Sequence, residues 1–81
     1  MATPAEDLVA VVRLLVDDPR AVSAEAVVTE QGEVELRLRA AAADCGKVIG
    51  RHGRTIDALR TLARSRGARE GRPHVVELLE D

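Results

Sequence analysis

The sequence predicts an α+β fold with the order helix–strand–strand–helix–helix–strand. Three observations carry that prediction. Apolar residues recur at helical spacing near the N-terminus and again after Gly53. Residues 33–40 alternate strictly between apolar and charged. A short apolar run follows Pro73.

Thr3-Pro4-Ala5-Glu6 has the pattern of a helix start: Thr3 caps, Pro4 fits the first helical position, and Glu6 completes a capping box. Leu8, Val11, Val12 and Leu15 follow at helical spacing, and Val9 and Val16 widen the stripe. Asp17-Asp18-Pro19 stops it, because proline disfavours the helical conformation in the residue before it. A helix over residues 4–17 is expected.

Residues 24–30 and 33–40 are expected as strands of a β-hairpin. Val34, Leu36, Leu38 and Ala40 share one face, while Glu33, Glu35, Arg37 and Arg39 share the other. Gln31-Gly32 supplies a tight turn, since Gly32 can take positive φ. The Ala-rich residues 41–49 form a short helix ended by Gly50. Beyond Gly53, Ile56, Leu59, Leu62 and Ala63 define an amphipathic helix over 54–69, weakened by Gly67 and terminated by Gly71. The run 74–79 is a strand whose facing stays open, as apolar residues occur at both parities.

At 81 residues the chain is expected to be one domain, 1–81. Such a chain buries only roughly 60% of the surface it exposes unfolded, so its core is small. Apolar residues at 46% and charged residues at 32% make it globular. Phe, Tyr and Trp are absent, so the core must be Leu, Val, Ile and Ala. Their absence also excludes nucleic-acid binding dominated by base stacking on aromatic side chains. One cysteine, Cys45, excludes an internal disulfide and a zinc knuckle. Without Asn there is no N-glycosylation site. No run is long and apolar enough to span a membrane, and no signal-peptide core follows Met1. A soluble protein of the cytoplasm is expected, with no membrane partner.

The net charge of −2 hides an asymmetry. Residues 45–72 hold eight cations against two acids, a net of +6, and the remainder holds four against twelve, a net of −8. Local potential matters more than the total when a polyanion approaches. Eight cations can also simply solvate a long helix and its flanks. Acids of the first helix and hairpin, Glu33 and Glu35 among them, would repel a polyanion from the far side and turn it toward the basic segment.

Gly46-Lys47-Val48-Ile49-Gly50-Arg51-His52-Gly53-Arg54-Thr55-Ile56 is the informative stretch. Two glycines, Gly50 and Gly53, bracket Arg51 and His52 between two expected helices. Glycines allow close approach of a nucleic-acid backbone, and the following helix directs its N-terminal N–H groups and positive dipole end at the loop. Arg51 and Arg54 add charge, and His52 adds a donor. Walker A spacing and the dinucleotide fingerprint are both missing. An ordinary glycine-rich helix–helix turn has the same local pattern.

Val48-Ile49-Gly50-x-x-Gly53-x-x-Ile56 within this element order resembles the KH domain. The order is similar to the type II, or prokaryotic, arrangement of ribosomal small-subunit protein three and NusA. Over essentially the whole chain it resembles the small bacterial single-KH proteins of the KhpA (YlqC) family. Asp44-Cys45-Gly46-Lys47-Val48-Ile49-Gly50, Gly53-Arg54 and Ala58-Leu59-Arg60 carry that resemblance.

The resemblance implies a three-stranded mixed sheet with helices on one face and a loop that clamps single-stranded RNA. Gly50 and Gly53 would be the loop glycines and Arg51 and His52 the variable pair. Ile49 would floor the groove, and Lys47 and Arg54 would flank it. It also implies a homodimer, or a heterodimer with a larger Jag-type KH protein. Roles as an RNA chaperone or post-transcriptional regulator, and in cell shape and division, belong to the family. A partner-pairing module with secondary RNA contact is the alternative. One departure is Ala41-Ala42-Ala43-Asp44, where the family has a Pro-Glu-Asp-like start; it leaves the short helix weakly capped.

Catalysis, metals and cofactors are not expected. Cys45 beside His52 invites a nucleophile reading, but no orienting acid or substrate pocket accompanies them. Cys45 is expected as a small, partly buried helix residue.

Overall fold

The computed structural model describes residues 3–80. Helix α1 spans Pro4–Arg13, with the Thr3 side chain accepting the Glu6 N–H at 3.1 Å. Leu8 and Val12 form its buried face. The helix is shorter than its apolar pattern implied. Leu14 N–H and Leu15 N–H bond to the carbonyls of Val11 and Val12, three residues back, so the last turn tightens and stops. Leu14 is thereby left 86% exposed. A short 3-10 turn, Pro19–Ala21, then leads into the sheet.

Strands β1 (Ser23–Val28) and β2 (Val34–Arg39) pair antiparallel, and β3 (His74–Leu79) joins β2 in parallel. The sheet order is β1-β2-β3. The hairpin is wider than a two-residue turn. Val28 faces Val34, and Thr29 to Glu33 make the connection. Thr29 closes it on both sides: its N–H donates to Glu33 O, and its hydroxyl accepts the Glu33 N–H. The alternation of β2 is as expected, with Val34, Leu36 and Leu38 buried and Glu35 and Arg37 on the open face. On β3 the facing resolves: His74 and Val76 point into the core, and Val75 and Glu77 point out.

Helix α2 (Cys45–Ile49) is preceded by a 3-10 turn, Ala42–Asp44. Neither start has a side-chain cap, as the Ala-rich entry implied. Helix α3 (Arg54–Glu70) buries Ile56, Leu59, Ala63 and Gly67. Leu62, expected on that stripe, is 58% exposed. At about 100° per residue it sits roughly 60° beyond Leu59, off the edge of the buried face.

The helix runs on through Gly67, where packing requires the glycine. A Cβ there would lie 2.9 Å from the His74 backbone nitrogen and against Arg72 O. The glycine is what lets the β3 entry lie on α3. The helix runs on to Gly71, which ends it in the left-handed region, with Arg72 N–H bonding to Gly67 O at 2.9 Å. The apolar cluster between sheet and helices is Leu, Val, Ile and Ala, with Cys45, Asp44 and His74 buried beside it. The helices cover one face of the sheet.

Candidate nucleic-acid interface

Helix α2 ends at Gly50, whose N–H reaches Gly46 O at 2.9 Å. Gly50 adopts φ 77° and ψ 170°. A side chain there would collide with Thr55, lying 2.7 Å from its Cβ and 2.9 Å from its N. Gly50 is therefore required twice, by conformation and by space. The turn Arg51–Gly53 closes with Gly53 N–H on Gly50 O at 3.1 Å. His52 sits at φ 58°, and among the described residues it alone of the non-glycines has positive φ. Held left-handed, it stores on the order of 1 kcal/mol of backbone strain.

Gly53, also left-handed, starts α3 with no side-chain cap. The turn abuts the positive end of a 17-residue helix, whose first N–H, that of Arg54, already bonds to Arg51 O. Arg51, His52 and Arg54 are exposed, and none takes part in an ion pair among the described residues. Ile49 exposes an apolar side chain beside them, while its neighbour Val48 is fully buried. Five of the seven expected residues, Gly50 to Arg54, so form one contiguous cationic turn, with Ile49 at its edge.

Lys47 departs from that picture. Its ammonium donates to the Asp17 carboxylate and lies 3.9 Å from Asp44. The hydrogen bond to Asp17 raises the Lys47 pKa above its ordinary value, against a smaller opposing effect of desolvation. Asp44 itself is 1% exposed. Its two oxygens accept the backbone N–H groups of Asp17 (3.2 Å) and Asp18 (3.0 Å). Asp44 stood in the recognised motif, but its partners are 26 and 27 residues away and carry no local signal.

The other cations of the basic segment are spread around α3. Arg60 pairs with Asp57, and Arg66 joins Asp7 of α1 to Glu70. Arg69 and Arg72 are exposed at the far end. Cys45 is buried with its thiol on Ala41 O at 3.6 Å, so it packs. No cluster of metal-ligating side chains occurs among the described residues. None of their helices is long and apolar enough to cross a membrane.

The family described as KhpA/KhpB, KH domain, matches residues 5–78. Relatives named RNA-binding protein KhpA include one from Treponema pallidum, 49% identical over 76% of this chain and 78% of its own. One from Leifsonia xyli is 42% identical over the full length of both. One from Mycobacterium leprae is 44% identical over 83% of this chain and 82% of its own. Among solved structures, Aquifex aeolicus Era bound to GDP and AlF4− aligns with TM-score 0.60 and 19% identity. That match covers 93% of this chain but 29% of the Era chain, so it speaks for the fold alone.

Proposed function

The chain belongs to the KhpA/KhpB family of KH domains, and from that premise we propose that it binds single-stranded RNA through the Gly50–Gly53 turn. The family is one of RNA-binding proteins and not of enzymes. The observation that carries the reading is the turn itself: Arg51, His52 and Arg54, with no ionic partner among the described residues, around a helix start that has no side-chain cap, with Gly50 pressed against Thr55. Phosphate oxygens accept from guanidinium and are drawn to the positive end of the α3 dipole, so one backbone stretch of RNA can use both. Ile49 supplies apolar surface for a base. With no aromatic platform, affinity rests on phosphate contacts and falls steeply with salt.

The proposed protein is a single KH domain of the cytoplasm, acting as a dimer in RNA chaperoning or post-transcriptional regulation. Two linked sites multiply affinity without new contacts. Anisotropy of a labelled single-stranded RNA pool tests the reading, with wild type against Arg51→Asp/His52→Asp and circular dichroism as the folding check. The folded variant is expected to lose binding. Equal binding by both moves RNA off the turn.

A second reading is a module that pairs with a Jag-type KH protein. One observation favours it. A cleft of about 420 Å³ between α1 and α3 is lined by Leu8, Val11, Leu59, Leu62 and Ala63, and Val11 and Leu62 are exposed. Failure of wild type to bind any RNA, with a partner KH protein captured in its place, decides for that reading.

A further inference from the structure

Lys47 stands one turn before Gly50, next to the cationic turn, yet its ammonium is already engaged in the free protein. The partner, Asp17, is 30 residues away in sequence, in the connection between α1 and β1. A buried group holds that connection in place. The Asp44 carboxylate accepts the backbone N–H groups of Asp17 and Asp18, and it precedes Lys47 by three residues. Asp44 thus fixes the backbone of Asp17 beside α2, and the Asp17 side chain reaches the ammonium. The Asp17 side chain is itself 82% exposed, and that of Lys47 is 46% exposed.

These exposures decide how the pair behaves. An ion pair in water is weak and exchanges readily. A phosphate oxygen has the charge and acceptor geometry of the carboxylate oxygen it would replace. We propose that Asp17 is an internal competitor for the RNA backbone: its carboxylate holds Lys47 in the free protein and yields it to a phosphate when RNA occupies the turn. Asp44 is the positioning residue that keeps the competitor in reach. The hydrogen bond from Lys47 to Asp17, which is the largest cause of the raised Lys47 pKa, agrees with an engaged ammonium. The inference rests on the RNA-binding reading and adds a residue that works against binding at the same site.

A double-mutant cycle tests it. Affinity for one labelled single-stranded RNA is measured at low salt for wild type, Asp17→Asn, Lys47→Gln and the pair. Asp17 contributes its backbone N–H to the Asp44 clasp, so Asp17→Asn leaves that clasp intact; circular dichroism checks the fold. Asp17→Asn is expected to tighten binding about two- to fivefold, the range a surface ion pair converts to. In the Lys47→Gln background the same change is expected to do nothing. An equal gain in both backgrounds reports only the loss of a negative charge and overturns the proposal. No gain from Asp17→Asn in the protein that keeps Lys47 overturns it as well. If wild type binds no RNA, the RNA-binding reading itself falls, and this proposal with it.

Discussion

The two ends of α3 are built from the same residue types and come to opposite states. Before the helix stand Gly50, Arg51, His52 and Gly53; at its end stand Gly67, Arg69, Gly71, Arg72 and His74. At the first end His52 is exposed and strained, and Arg51 and Arg54 have no ionic partner among the described residues. At the second His74 is 1% exposed. Its Nδ1 lies 2.9 Å from Arg72 O and its Nε2 3.3 Å from Glu70. Glu70 is tied on to Arg66 and Asp7. Glycine, arginine and histidine in a turn therefore do not by themselves make a binding site. What separates the two ends is whether the chain supplies partners to the histidine, since Arg69 and Arg72 are as exposed as Arg51 and Arg54. Where it does, the glycine serves packing; where it does not, the donors stay open for a ligand.

The largest expected effect lies at the packed end. Gly67→Val puts a branched side chain where even a Cβ meets Arg72 O and His74. Destabilisation of about 3 kcal/mol is expected, a fall of roughly 12–24 °C in Tm by thermal unfolding. A Tm unchanged by this substitution would break the comparison, because Gly67 would then not be held by packing.

Next comes the anchor beneath the open end. Asp44→Ala strips the acceptor from two backbone N–H groups. A loss of about 2 kcal/mol is expected in denaturant unfolding, with faster hydrogen exchange at the Asp17 and Asp18 amides. Unchanged exchange at those amides would show that the clasp does not hold the connection.

The smallest effect has the opposite sign. His52→Gly relieves a left-handed residue that meets no packing demand. A gain of up to about 0.5 kcal/mol is expected, the strain less the entropy glycine adds to the unfolded chain. RNA affinity should fall at the same time. Stability and binding moving in opposite directions at one residue is the behaviour of a site; a fall in both would make His52 a structural residue.

Much of this was readable before the structure. Strict alternation placed β2, because a half-buried strand leaves a period-two pattern. The Gly50–Gly53 turn was readable because its requirement is local: glycine at fixed spacing between two helices. Other features failed for physical reasons. The apolar pattern through Val16 prolonged α1 on paper, while the chain tightens at Leu14 and is drawn toward Asp44. Gly67 resembled a flaw in a helix, since the strand that presses on it arrives only in the tertiary fold. The facing of β3 could not be read from apolar residues at both parities. It follows from its parallel register with β2, in which Leu36 pairs with Val76. The diversion of Lys47 onto Asp17 was equally hidden, because the partner comes from another connection.

One measurement tests the contrast between the ends most directly. The same charge change is placed on each, Arg51→Asp/His52→Asp before α3 and Arg69→Asp/Arg72→Asp after it, and both variants are titrated against one labelled single-stranded RNA at fixed salt. The first is expected to weaken binding at least about tenfold, a change of about 1.4 kcal/mol, and the second by no more than about threefold. Equal loss in the two variants would mean that RNA answers to the summed charge of the basic segment and that the Gly50–Gly53 turn is not its site.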